Sequence, residues 1–201
     1  MVADAAAFGS LPRWHHDPLV RDTLATIRRC GWAVTAVGGY DLDPDEQGER
    51  AAPFAYTSGL ALHSLAELAV YGLDPLRSAA LLNELGELFH HFDWRSAVGF
   101  GTEIEVGALE ATIRVIEMIN TDDLLITNAL FPQSPALQVI WSDDQGIFPW
   151  QAGYGLRADQ QELKGIATSG LRHVAGPRTV STHIAGSRAE HPRARPRRPR
   201  T

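Results

Sequence analysis

Apolar residues recur at helical spacing in two stretches of the chain, and each stretch is opened by an Asp-Pro pair. In "DPLVRDTLATIRRCG", Val20, Leu24 and Ile27 fall on one face, Asp17 is placed to cap the first turn, and Gly31 follows as a stop. Pro18 suits that first turn because its missing N–H would have no helical partner there. "DPLRSAALLNELGELFHHF" repeats the device with Asp74 and Pro75 and sets Leu81, Leu85, Leu88 and Phe92 in a stripe. Both are predicted helices.

Six short segments rich in β-branched and aromatic residues read as strands: "WAVTAVGG", "PFAYTSGL", "AELAVYGL", "TEIEVG", "ATIRVIEMI" and "ALQVIW". "NTDDLLITNALF" predicts a short helix, with Asp122 and Asp123 near its positive end, and "ADQQELKGIA" predicts another close to the end of the fold. The acidic, turn-rich "YDLDPDEQGERAAP" is expected to be an exposed loop. Helices and strands interleave without steady alternation, and several strands are consecutive. That pattern predicts an α+β fold: one domain with a mixed, mostly antiparallel sheet flanked by three to four helices. The expected domain covers 17–170, between an N-terminal extension (1–16) and a disordered Arg/Pro-rich tail (171–201).

Composition agrees with one globular domain: 201 residues, 44% apolar and 21% charged, are enough for a sizeable core. The net charge of −6 conceals an asymmetry. Six arginines against one glutamate give residues 186–201 a charge of +5, leaving −11 on residues 1–185. An acidic body disfavours nucleic acid and anionic membrane as principal partners; nucleic acid is expected to bind only weakly, through the basic tail. No segment reaches the ~18 apolar residues needed to span a bilayer. The N-terminus lacks a positive-then-apolar leader pattern, so a cytoplasmic location and no membrane are expected. Cys30 is the only cysteine, which excludes an intramolecular disulfide and a cysteine metal cluster; it is expected to be a small buried residue.

Several residues are candidates for chemistry. "ALQVIWSDDQGIFPW" reads as a strand, a turn at "DDQG" and a second arm that Pro149 confines to an edge or departing strand, with Trp141, Phe148 and Trp150 covering one end of the core. Asp143 and Asp144 are paired carboxylates, but neighbours on an extended chain point to opposite sides, so Asp143 alone keeps a claim to function. His63 lies between two predicted strands, four residues before Glu67, where a histidine can act as general base. Tyr56, Thr57, Ser58 and Gly59 place hydroxyls and a glycine at a strand end, where backbone can approach a ligand. Ser58 lacks the Gly-x-Ser-x-Gly elbow of hydrolase nucleophiles. Glu84, Glu87 and His90 or His91 form a single Glu-x-x-His, half of a di-iron motif, and read better as a solvated helix face. "GFG" at 99–101 is too short for a phosphate loop, and "HHD" at 15–17 reads as the approach to the first helix. No metal site is expected, and the residues name no cofactor.

Three segments together, "GWAVTAV", "PFAYTSGLALHSLAELAVYGL" and "LQVIWSDDQGIFPWQAGY", resemble a bacterial family known as domain of unknown function 4262. The likeness covers roughly residues 18–166 in order and spacing. The family pattern has His-Pro-Glu where this chain has Leu65-Ala66-Glu67, with its histidine displaced to His63. Trp-Pro-Asp becomes Trp141-Ser142-Asp143, and Gln-Pro-Leu-Leu-Gly becomes Gln161-Glu162-Leu163-Lys164-Gly165. The resemblance implies a self-contained cytoplasmic α+β domain with a pocket where Tyr56–Gly59, Glu67 and Asp143 converge, and it implies no activity. The leading expectation is a soluble domain that binds a small molecule or a protein partner. The alternative is a hydrolase-like or transferase-like enzyme with Glu67 and Asp143 as acid–base groups and His63 assisting.

Overall fold

A computed structural model describes residues 8–38 and 52–167. The expected loop at 40–53 falls mostly outside that range, and the expected tail at 171–201 wholly outside it. The elements are α1 (Pro18–Cys30), β1 (Ala33–Val37), β2 (Phe54–Ser58), a 3-10 turn (Leu60–His63), β3 (Glu67–Tyr71), α2 (Pro75–Phe89), α3 (Trp94–Phe100), β4 (Ile104–Glu105), β5 (Thr112–Glu117), α4 (Leu125–Leu130) and β6 (Ala136–Trp141). The strands make one six-stranded sheet in the order β1-β2-β3-β6-β5-β4. β3 and β6 run parallel at its centre, and every other pair is antiparallel. The mixed sheet and its four helices define a single α+β domain, as the sequence pattern implies.

The Asp-Pro helices form where their chemistry dictates. Asp17 accepts the Leu19 amide at 2.8 Å, and Asp74 accepts those of Leu76 and Arg77 at 3.0 Å, so orphan donors of both first turns are satisfied. α1 buries Val20, Leu24 and Ile27. In α2 the buried face is Ser78, Leu81, Leu82, Leu85 and Phe89, whereas the expected stripe members Leu88 and Phe92 are 37% and 41% exposed. The reason is geometric: the helix stops at Phe89, and residue 88 sits about 100° around the axis from residue 89.

Helices cover both faces of the sheet. α2 and α3 pack with Ala55, Leu68, Val70, Ile113, Val115, Leu137 and Val139. α1 and the α4 region pack with Ala33, Tyr56, Ala69, Tyr71 and Ala136, the residues of opposite parity. Leu11 is buried in that second cluster, and Phe8 packs against it.

Three expectations are corrected, and one helix lies where no element was expected. α3 was not foreseen; Asp93 caps it through the Arg95 amide at 3.2 Å, and Gly101 ends it in the left-handed conformation. The helix expected over "ADQQELKGIA" is absent: residues 158–160 are a turn, and Gly165 makes an antiparallel bridge to Met118. After the "DDQG" turn there is no second strand, since Pro149 and Trp150 lie in a further turn. Cys30 is exposed with Arg28 and Arg29 in the last turn of α1, where the basic pair stays solvated.

Candidate functional site

β2, the 3-10 turn and the start of β3 bring five of the sequence candidates together. The Glu67 side chain is fully buried. Its Oε1 accepts the amides of Gly59 at 2.8 Å and Ala61 at 3.1 Å, and its Oε2 accepts the Thr57 hydroxyl at 2.7 Å. That hydroxyl oxygen in turn accepts the Leu68 amide at 2.8 Å. Ser58 and Thr127 hydroxyls meet at 2.7 Å, and Thr127 donates to the Thr57 carbonyl, also at 2.7 Å. Tyr56 accepts the Ile126 amide at 3.3 Å. Burial pushes the Glu67 carboxyl up, against the Thr57 hydroxyl and the surrounding amides, which pull it down. Gly59 is required here. Its φ is +116°, and a Cβ would come within 3.1 Å of the Gly31 carbonyl and the Trp32 backbone.

The His63 ring sits in a cluster of rings. Its Nε2–H donates to the Gly31 carbonyl at 3.3 Å. Its ring lies edge-to-face with His90 at 4.9 Å, Phe8 at 5.8 Å and Trp32 at 5.9 Å. Burial, then the neighbouring His63, hold His90 below the usual imidazole range.

Asp143 is elsewhere. Its Oδ1 accepts the amides of Ile147 at 2.8 Å and Gln145 at 3.0 Å, and its Oδ2 accepts Gly155 at 2.8 Å. The Ile147 and then the Gly155 amide hold the carboxyl below the usual carboxylate range. β3 and β6 are parallel with Glu67 opposite Ala136, and Ser142 continues the pairing with Thr112 beyond the end of β6. Asp143 therefore lies seven residues further along the sheet from the level of Glu67, on the order of 20 Å away. The two carboxylates sit at opposite ends of the strands. Tyr56, Thr57, Ser58 and Gly59 do gather around Glu67, but all four are buried.

The aromatic residues after the "DDQG" turn pack as a plug. Phe148 is fully buried and stacks on Trp150 at 5.3 Å, with the Arg114 guanidinium 4.8 Å from the Phe148 ring. Trp141 donates its indole N–H to the Tyr71 carbonyl at 3.1 Å.

Sequence reasoning missed a polar strap over the sheet. Gln138, fully buried, accepts the Lys164 amide at 2.7 Å and donates to the Glu162 carbonyl at 2.5 Å. Gln161 accepts the Trp141 amide at 2.8 Å and donates to the Trp141 carbonyl and the Tyr154 hydroxyl at 2.9 Å. Lys164 pairs with Glu162 at 2.8 Å and Asp123 at 3.1 Å, and Asp123 also accepts the Tyr71 hydroxyl at 3.1 Å. One signal was available: Gln138 is the polar residue in the otherwise apolar run "ALQVIW". On α2, Glu84 likewise binds the amides of Gly107 and Ala108 at 2.7 and 2.8 Å, so this helix-face glutamate anchors the loop between β4 and β5.

Among the described residues no group of three or more His, Cys, Asp or Glu side chains could hold a metal ion, and no helix is long and apolar enough to cross a membrane. A shallow hollow opens beside the β4–β5 connection, lined by Glu105, Val106, Leu109, Glu110, Ala111 and Thr112.

The architecture is thus a mixed-sheet α+β domain whose hydroxyl- and glycine-bearing strand end is closed around a buried glutamate. Residues 26–155, more than half of the chain, match the family described as domain of unknown function (DUF4262), and the chain belongs to that family. No curated protein and no solved structure matches it.

Proposed function

We propose that the domain binds a protein partner and is not itself catalytic. The observation that carries this reading is the state of the two candidate carboxylates. Each already accepts three donors from the protein, and they lie at opposite ends of the sheet. A general base needs a lone pair facing the substrate's proton, and Glu67 has its oxygens turned to Thr57, Gly59 and Ala61. A small ligand has no approach to Tyr56–Gly59, because all four residues are buried. A protein surface, by contrast, has apolar ground to grip. Ile119, Leu125 and Ile166 are 69%, 72% and 69% exposed around Lys164. The Ile119 amide donates to the Lys164 carbonyl, and Asp123, two residues before Leu125, pairs with the Lys164 ammonium.

The test is photo-crosslinking in the native host with a reactive side chain placed at position 119 or 166, and at Leu76, 83% exposed on α2, as control. The expected result is one adduct common to 119 and 166, missing at 76, and lost in the Ile119→Glu/Leu125→Glu variant crosslinked from 166. A metabolite consumed by the wild type and spared by Glu67→Gln would overturn the reading in favour of a hydrolase-like or transferase-like enzyme.

A further inference from the structure

The two edges of the sheet are built differently. β4 is two residues long, ends on Glu105 and is preceded by Glu103, which pairs with Arg114. Short length and charge are the usual means of blunting an edge. β1 has neither. Ala33-Val34-Thr35-Ala36-Val37 carries no charge and no proline, and its five residues pair with β2 in an unbroken register without a bulge. Among the described residues only β2 hydrogen-bonds to it. Val34, Thr35 and Ala36 are half-buried, and Val37 is exposed.

We infer that the outer edge of β1 pairs with β1 of a second copy of this chain, antiparallel across a two-fold axis at Thr35, joining two six-stranded sheets into one. A two-fold interface needs a surface complementary to itself. β1 meets that condition. Centring the pair on Thr35 sets Val34 opposite the second copy's Ala36 and Ala33 opposite its Val37, larger against smaller on both faces. Thr35 meets its own image, and Thr–Thr is a favourable cross-strand pair. No charge lies within the pairing, whereas half of β4 is the charged Glu105. The interface is small against the ~1,000 Å² of a stable complex, so the dimer is weak and concentration-dependent. Each chain carries −6, so association strengthens as salt screens the repulsion. This inference is independent of the partner surface around Ile119 and Ile166.

Sedimentation velocity of the full chain over a wide concentration range tests it. The mass is expected to rise from monomer towards dimer, and Thr35→Lys, which sets two ammonium groups face to face, is expected to weaken association at least ~10-fold, a loss of about 1.4 kcal/mol. Thr35 also hydrogen-bonds Tyr56, so Val37→Lys at the exposed strand end serves if the first variant fails to fold. In a Cys30→Ser background, Thr35→Cys is expected to form an intermolecular disulfide on oxidation faster than Val37→Cys, because only position 35 faces itself. A monomer at every concentration, a dimer indifferent to both lysine variants, or equal crosslinking at 35 and 37 would each overturn the inference.

Discussion

The Thr57 hydroxyl stands between two buried groups: it donates to the Glu67 carboxylate at 2.7 Å and accepts the Leu68 amide at 2.8 Å. One side chain thereby satisfies an acceptor on β3 and the next backbone donor along the same strand. Thr57→Val keeps the shape and removes both bonds. It is expected to destabilise the domain by about 2–4 kcal/mol, with Thr57→Ser costing much less, as read by urea unfolding. Equal stability of Val and Ser variants would show that the hydroxyl is idle.

Glu67 has a pH signature. Burial raises its carboxyl above the usual range, so the folded state binds the proton more tightly than the unfolded chain. For such a group the favourable contribution is complete at low pH. It is lost as pH rises from the unfolded value, about 4.3, through the higher folded one. Unfolding free energy of the wild type, measured against Glu67→Gln across that interval, is expected to fall with rising pH. A difference that grows instead would mean that the three donors outweigh burial.

Two glycines of positive φ separate close approach from conformation. A Cβ on Gly72 would lie 1.7 Å from the Gln160 carbonyl oxygen, whereas one on Gly146 would meet nothing within 4 Å. Gly146→Ala is expected to cost only the left-handed conformation, about 1–2 kcal/mol. Gly72→Ala adds displacement of the 160–161 backbone and is expected to cost several-fold more in melting temperature.

Trp94 is 5% exposed, and its indole N–H has no hydrogen-bond partner among the described residues. Trp94→Phe keeps most of the ring's packing and removes the orphan donor, so its stability is expected to lie within about 1 kcal/mol of the wild type. Trp94→Ala is expected to lose about 3–5 kcal/mol. Calorimetry on the pair distinguishes packing from polarity.

The strap is expected to loosen when Lys164 is replaced by Met. Its ammonium bridges Glu162 and Asp123, and its backbone carbonyl receives the amides of Ile119 and Asn120. Hydrogen exchange at those two amides should accelerate in Lys164→Met, while exchange in α2 stays unchanged.

What the sequence disclosed was the local chemistry. The Asp-Pro openings of α1 and α2, the β-branched runs and the "DDQG" turn are each decided within a few residues, so they could be read directly. α3 is seven residues with no full apolar period, and only Asp93 and Gly101 mark it. The segment 158–167 has helix-forming composition, yet its backbone at Glu162 and Lys164 is bound by Gln138, its Gln161 side chain bonds Trp141, and Gly165 bridges to Met118, a tertiary choice that propensity does not contain. Glu67 could be singled out as a candidate acid–base carboxylate at a strand start, but its distance from Asp143 depends on the parallel register of β3 and β6, which no local pattern encodes.

That parallel pair also governs how the domain can be made. β3 ends at Tyr71 and β6 begins at Ala136, so the central strands are joined only after the intervening α2, α3, β4, β5 and α4 have been synthesised. At about 5–20 residues per second on the ribosome, β3 waits several seconds with one edge bare. The β1-β2-β3 meander is complete long before its neighbour arrives. Folding of this chain is accordingly paced by a late, long-range closure, and the waiting β3 edge is the place where nascent chains are most exposed to mispairing.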